Sequence, residues 1–136
     1  MKIIVCLDDR DGMLFGGRRQ SKDSLLRQRV LELTRGSRLW MNAYTAGQFM
    51  EEAENLWVDE AFLDKAIPGD YCFVEDRDIV PYAQRVESVI IYRWNRAYPG
   101  DVKFPFALFD NVWRMESRLE FPGSSHELIT EEIYIL

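Results

Sequence analysis

The chain has 136 residues, 47% of them hydrophobic, with 17 basic against 23 acidic side chains and a formal charge of −6 at pH 7. A chain of this size can build one core without metal or disulfide staples, and its negative balance disfavours nucleic acid and anionic membrane surfaces. Cys6 and Cys72 both lie inside apolar runs and read as buried reduced thiols; with no signal-peptide core and no membrane-length apolar run in view, a cytoplasmic protein is expected.

Ile3-Ile4-Val5-Cys6-Leu7 is a continuous apolar run bounded by charge, which predicts a strand buried on both faces. Residues 12–20 read as a loop because of Gly12, Gly16 and Gly17. Ser21 or Asp23 can cap a helix whose apolar positions Leu25, Leu26, Val30, Leu31 and Leu33 recur at helical spacing until Gly36. Residues 38–42 then predict a strand, 45–53 a helix, 56–58 a short strand and 60–66 a short helix. Residues 71–74 predict another strand, residues 79–85 a helix with Pro81 in its first turn, and residues 87–94 a Val-Ile-Ile-Tyr strand. This alternation predicts one α/β domain over residues 1–136, with a mostly parallel central sheet flanked by helices.

Beyond Trp94 the period changes. A polar loop with Phe104, Phe106 and Phe109 as anchors leads to residues 112–121, and Pro122-Gly123-Ser124-Ser125 separates these from residues 127–136. The two segments predict a C-terminal antiparallel hairpin. Trp40, Trp57 and Trp113 fall within strand-like runs and are expected in the core or on a sheet face.

Tyr71-Cys72-Phe73-Val74 runs straight into Glu75-Asp76. A strand that opens onto nucleotide phosphate normally ends in glycines and bare amides, whereas a carboxylate within a few ångströms of phosphate is unfavourable by roughly 1 to 4 kcal/mol. Arg18-Arg19 beside Gly16-Gly17 forms a basic loop that can close on a carboxylate or phosphate or stay solvated, and Arg93-Trp94-Asn95-Arg96 can stack a ring or cover the core. His126 beside Ser124 and Ser125, with Asp101 as a possible acid, has the residue types of a hydrolase triad. The strand-to-helix serine turn of hydrolases is absent, so a structural histidine is expected. Two cysteines and one histidine at these spacings match no metal motif, and no metal is expected.

Read in this order, the chain resembles dihydrofolate reductase. Residues 2–7 with Asp9-Arg10-Asp11-Gly12-Met13 look like that family's first strand and the loop over its substrate. Leu39-Trp40-Met41-Asn42-Ala43-Tyr44-Thr45 looks like its second strand and following helix start. Ile90-Ile91-Tyr92, Pro99-Gly100-Asp101, Phe104-Pro105 and residues 121–134 with Ser125-His126 look like its closing strands and hairpin loop. The resemblance implies a dihydrofolate reductase-like fold with a substrate cleft, for which Met13, Asn42, Tyr44 and Tyr92 are the ligand-binding candidates, joined by Arg18, Arg19 and Trp94. Asp23 is the candidate for the family's substrate-binding acid, and the same residue is placed to cap the first helix.

The departures from the pattern bear on the cofactor. The family's double glycine at the pyrophosphate falls on Glu75-Asp76, its arginine for the 2′-phosphate falls on Ala43, and Asp59-Glu60 stands where further cofactor contacts are made. Met50-Glu51-Glu52-Ala53-Glu54 offers no arginine for the glutamate tail of folate. NADPH is therefore disfavoured, and no cofactor is expected. The expectation is a degenerate reductase-fold protein that binds a small molecule or a protein partner, with a homodimer as one form. The alternative is an active reductase on a pterin, folate or flavin-like substrate that uses Asp23.

The stretch Tyr92-Arg93-Trp94-Asn95-Arg96 and the Ser125-His126-Glu127 ending also resemble small bacterial proteins labelled ribonuclease Z. A zinc phosphodiesterase of that kind needs several histidines and acids around two metals, and this chain has one histidine, so that activity is not expected.

Overall fold

The protein is described by a computed structural model over residues 1–108 and 113–135. Its elements run β1 (Lys2–Leu7), β2 (Gly12–Phe15), β3 (Arg18–Arg19), α1 (Ser24–Leu33), β4 (Leu39–Met41), α2 (Ala43–Ala46) and β5 (Leu56–Val58). They continue with α3 (Phe62–Lys65), β6 (Tyr71–Phe73), a 3-10 turn (Val80–Arg85), β7 (Ser88–Arg93), β8 (Val102–Lys103), a second 3-10 turn (Phe106–Leu108), β9 (Arg114–Phe121) and β10 (Ile129–Ile135). The expected anchor Phe109 and the outer ends of the last two expected strands, Val112 and Leu136, lie outside the described residues.

Among the described residues, seven strands form one sheet in the order β5-β4-β6-β1-β7-β10-β9. β1 is parallel to β6 and β7, with Ile3 opposite Cys72 on one side and Val89 on the other. β4 is parallel to β5 and β6, while β10 is antiparallel to β7 and β9. The expected α/β class, mostly parallel sheet and C-terminal antiparallel pair are thus all present. Alternate residues of β1 and β7 enter opposite layers: Ile3, Val5, Leu7, Val89 and Ile91 pack with Phe62 and Ile79, whereas Ile4, Ile90 and Tyr92 pack with Leu26 and Val30 of α1. Burial on both faces is the reason these strands read as unbroken apolar runs.

Several local expectations are corrected. Residues 12–20 are a hairpin, β2 pairing with β3 and also with β8, turned by Gly16 (φ +60°) and Gly17 (φ +75°). Two successive left-handed residues suit a two-residue hairpin turn, and glycine adopts that conformation without a Cβ clash. The helix expected over 45–53 is only Ala43–Ala46, because Asn42 accepts from the Thr45 amide and starts it early. Beyond Gly47, Glu51 turns to Arg27 at 3.2 Å and back to the Met50 amide at 3.0 Å, fixing a non-helical path. The helix expected over 60–66 is only Phe62–Lys65. Of the two places expected for Trp57, the core or a sheet face, it takes the second: it lies in β5, half exposed, and leans on the buried Trp40. Cys6 and Cys72 are free thiols; Cys72 is buried as expected, whereas Cys6 is only partly buried. Among the described residues no helix is long and apolar enough to cross a membrane.

Candidate functional site

The carboxyl ends of β1, β4, β6 and β7 bring Asp8, Asn42, Val74-Glu75 and Trp94 to one edge of the sheet. In open α/β sheets ligands bind in the crevice at that edge. Here the β2–β3 hairpin folds over it. Arg19 donates from Nε to Glu75 Oε2 at 3.0 Å and from Nη2 to Glu75 Oε1 at 3.1 Å. The same guanidinium donates to the Tyr44 carbonyl at 2.8 Å and lies 4.3 Å from the centre of the Tyr44 ring, while the Arg19 amide donates to the Tyr44 hydroxyl at 2.8 Å. Burial works against the Arg19 charge, but the hydrogen bonds and negative charge of Glu75 outweigh it and raise the Arg19 pKa.

Glu75 is buried, and Asp76 accepts from Asn42 Nδ2 at 2.7 Å and pairs with Arg77 at 3.4 Å. The acidic pair is therefore neutralised from within the chain: Glu75 by Arg19, 56 residues away, and Asp76 by the adjacent Arg77. Beneath the Arg19 arm remains a cavity of about 10 Å³ lined by Cys6, Met13, Gln20, Ser21, Val74 and Trp94 as well as by the ion pair. On the outer side of Glu75 is a larger cavity of about 290 Å³, walled by Met13, Leu14, Ile79 and Pro105 and bordered by Asp76, Arg77 and Lys103.

The other wall is built around Asp23. Its Oδ1 accepts from the amides of Leu25, Leu26 and Ser124 at 2.9, 3.1 and 2.9 Å. Oδ2 accepts from the Ser125 amide at 2.7 Å and faces His126 Nδ1 at 3.2 Å. Burial pushes the Asp23 pKa up, but these N–H donors outweigh it and hold the carboxyl well below the usual carboxylate range. The residue that caps α1 thus also anchors the loop that ends in His126. Gly123 permits this approach: a Cβ there would stand 2.5 Å from Asp23 Oδ2 and 2.9 Å from the His126 carbonyl.

His126 is itself buried and stacks on Trp94, ring centres 4.5 Å apart at 23°. Its Nε2 lies 3.1 Å from Ser21 Oγ and 2.9 Å from the Tyr98 hydroxyl. Asp8 ties the surrounding loops together by accepting from the amides of Gly12 and Tyr98 at 2.8 and 3.1 Å and from Gln20 Nε2 at 3.3 Å. Burial opposes the Asp8 charge, yet these donors lower its pKa.

Of the candidates read from the sequence, Met13 lines both cavities, Trp94 lines the inner one, and Arg19 and Tyr44 form the closure. Arg18 is exposed on the hairpin, and Asn42 is buried as the cap of α2 and the donor to Asp76. Tyr92 is a correction: its ring is fully buried on the α1 side of the sheet and its hydroxyl donates to Glu131 at 2.8 Å, so it packs in the core instead of lining the cleft. The acid paired with His126 is Asp23, whereas Asp101 accepts from the Gly16 amide at 3.0 Å and Ser124 Oγ accepts from the Ser24 amide at 2.8 Å. Ser21, Gln20 and Tyr98 carry no sequence signal as site residues; only the Gly123-Ser124-Ser125-His126 run marks the place. Among the described residues, no three His, Cys, Asp or Glu side chains are grouped to hold a metal ion.

No protein-family model matches this chain, and no curated protein matches it. A solved structure of dihydrofolate reductase from Enterococcus faecalis, complexed with NADP(H) and RAB-propyl, is similar to it with a TM-score of 0.65. The match covers 98% of this chain and 94% of that one, at 14% sequence identity. The chain therefore has a dihydrofolate reductase-like fold.

Proposed function

We propose that this protein uses the reductase-like cleft to bind a small ligand and does not reduce one with NADPH. The observation that carries the reading is the fork between Arg19 and Glu75, which closes the inner part of the cleft at the carboxyl ends of β1 and β6. It leaves the cavity of about 290 Å³ outside Glu75 for a ligand. A nicotinamide ring entering there has to displace Arg19 and leave Glu75 buried without its partner. An unpaired buried polar group costs about 1–3 kcal/mol, and more when charged. Ala43, at the start of α2, and the Glu75-Asp76 turn offer a cofactor phosphate no cation of their own. Asp23, with every acceptor position engaged and its carboxyl held ionised, suits a latch better than a proton donor to substrate.

A thermal-shift titration with NADPH, NADH and dihydrofolate tests the reading. No change in midpoint with either nicotinamide is expected. A dose-dependent rise of several degrees with NADPH, together with NADPH oxidation on dihydrofolate, overturns it.

A further inference from the structure

Ser21, Asp23 and His126 come from two distant segments and meet in a line beside the cleft. Asp23 is buried and ionised, so it can only accept, and the bond to His126 requires the proton to sit on Nδ1. The neutral imidazole then presents its lone pair at Nε2, towards Ser21 Oγ and the Tyr98 hydroxyl. The order acid, imidazole, hydroxyl is the one that prepares an alcohol for attack, and it is recognised by geometry and not by sequence position. Trp94, stacked on the ring, fixes the plane of the imidazole. Ser21 also lines the inner cavity, directly beneath the Arg19 arm. Ser21 therefore stands between His126 and the inner cavity.

We propose that Ser21 is a nucleophile activated by His126 and Asp23, and that it takes the acyl group of small carboxylic esters admitted when the Arg19 arm opens. In the acylation step Ser21 Oγ bonds to the acyl carbon and its proton passes to His126 Nε2. The ester C–O bond breaks, and the leaving alcohol receives that proton. Water repeats the sequence against the acyl-serine, releasing the acid and restoring Ser21. The Tyr98 hydroxyl, 2.9 Å from the same Nε2, competes with Ser21 for the single lone pair there and must turn aside when Ser21 gives up its proton. This proposal rests on the reading of the cleft as a ligand site; it concerns the hydroxyl beneath the arm, whereas the nicotinamide titration concerns the seat beyond it.

The test is covalent labelling of the intact protein with phenylmethylsulfonyl fluoride, with the adduct located by peptide mass spectrometry. The probe loses fluoride as its sulfur bonds to Ser21 Oγ, and the serine proton passes to the imidazole. A single adduct on Ser21 is expected in the folded protein, forming faster in Arg19→Ala and absent from protein unfolded in urea. In His126→Gln the rate is expected to fall about a hundredfold, the scale of a positioned general base. The unfolded control reads the dependence on the fold even if that variant is unstable. The proposal is overturned by no adduct on Ser21 in both the wild type and Arg19→Ala, by equal labelling rates in folded and unfolded protein, or by modification at Tyr98, Ser124 or Ser125 instead. Unmodified Ser21 removes the nucleophile whatever the nicotinamide titration gives.

Discussion

Arg19 and Glu75 clasp each other across the cleft through two hydrogen bonds, 3.0 and 3.1 Å long, although 56 residues separate them in the chain. This fork joins the β2–β3 hairpin to the end of β6. It covers the inner cavity and neutralises Glu75, while Asp76 is held separately by Asn42 and Arg77.

Removing the arginine strands a buried carboxylate. Arg19→Ala is expected to destabilise the protein by about 1–3 kcal/mol. The cost should appear as a lower urea midpoint with unchanged slope. Glu75→Gln added to that variant should recover part of the loss, because the uncompensated charge is then gone. An Arg19→Ala variant as stable as the wild type would mean that water replaces the fork without penalty.

Gly123 and Gly16 should respond to alanine for different reasons. At Gly123 the new methyl would meet Asp23 Oδ2 at 2.5 Å and push the latch apart, with a cost of about 1–3 kcal/mol for overpacking and a shifted His126 ring signal in NMR. At Gly16 nothing lies within 4 Å, so the cost is the left-handed backbone alone, about 1–2 kcal/mol, with the His126 signal unmoved.

Acid should loosen the latch. The folded-state pKa values of Asp23 and Asp8 are lowered, so the stability they contribute is complete above the unfolded aspartate value of about 3.9 and is lost as pH falls from there towards the folded values. Urea titrations at stepped pH should show that loss. Asp23→Asn should be less stable at neutral pH and flatter in acid, since its amide keeps one acceptor oxygen for the helix cap but sets a donor against the Ser125 amide or the His126 ring. A wild-type stability that does not change below pH ~4 contradicts this assignment.

The thiols should be silent until the protein unfolds. Burial pushes Cys72 up to about 12, and burial with the nearby negative charge of Glu75 and Asp23 raises Cys6 well above its ordinary value. A thiol-disulfide indicator at pH ~8 should therefore count no thiols in the native protein, because the thiolate is the reacting form. Both cysteines should be counted in denaturant. Rapid native reaction at Cys6 would show that the inner cavity opens often.

Much of the architecture is visible in local pattern. The apolar runs of β1 and β7, Asp23 before α1, and the turn residues between β9 and β10 each declare themselves within a few positions. The short helices do not. The residues 45–53 have a plausible helical pattern, but Asn42 and Glu51 offer the backbone competing hydrogen bonds and the helix stops at Ala46. In the same way the glycines near Phe15 suggest a loop, and it takes β8, far along the chain, to complete the three-stranded sheet.

What the sequence determined by itself was the chain order of the seven strands of the main sheet, the helix after the first of them, and the two-sided burial of the central strands, since these follow from periodicity and capping over short spans. What only the tertiary structure decided was which polar groups meet. Arg19 neutralises Glu75, Tyr92 turns away from the cleft to Glu131, and His126 finds Asp23 across 103 residues. A side chain announces what it can donate or accept, but its partner is fixed by the path of the chain, and that path is set by the packing of the whole sheet.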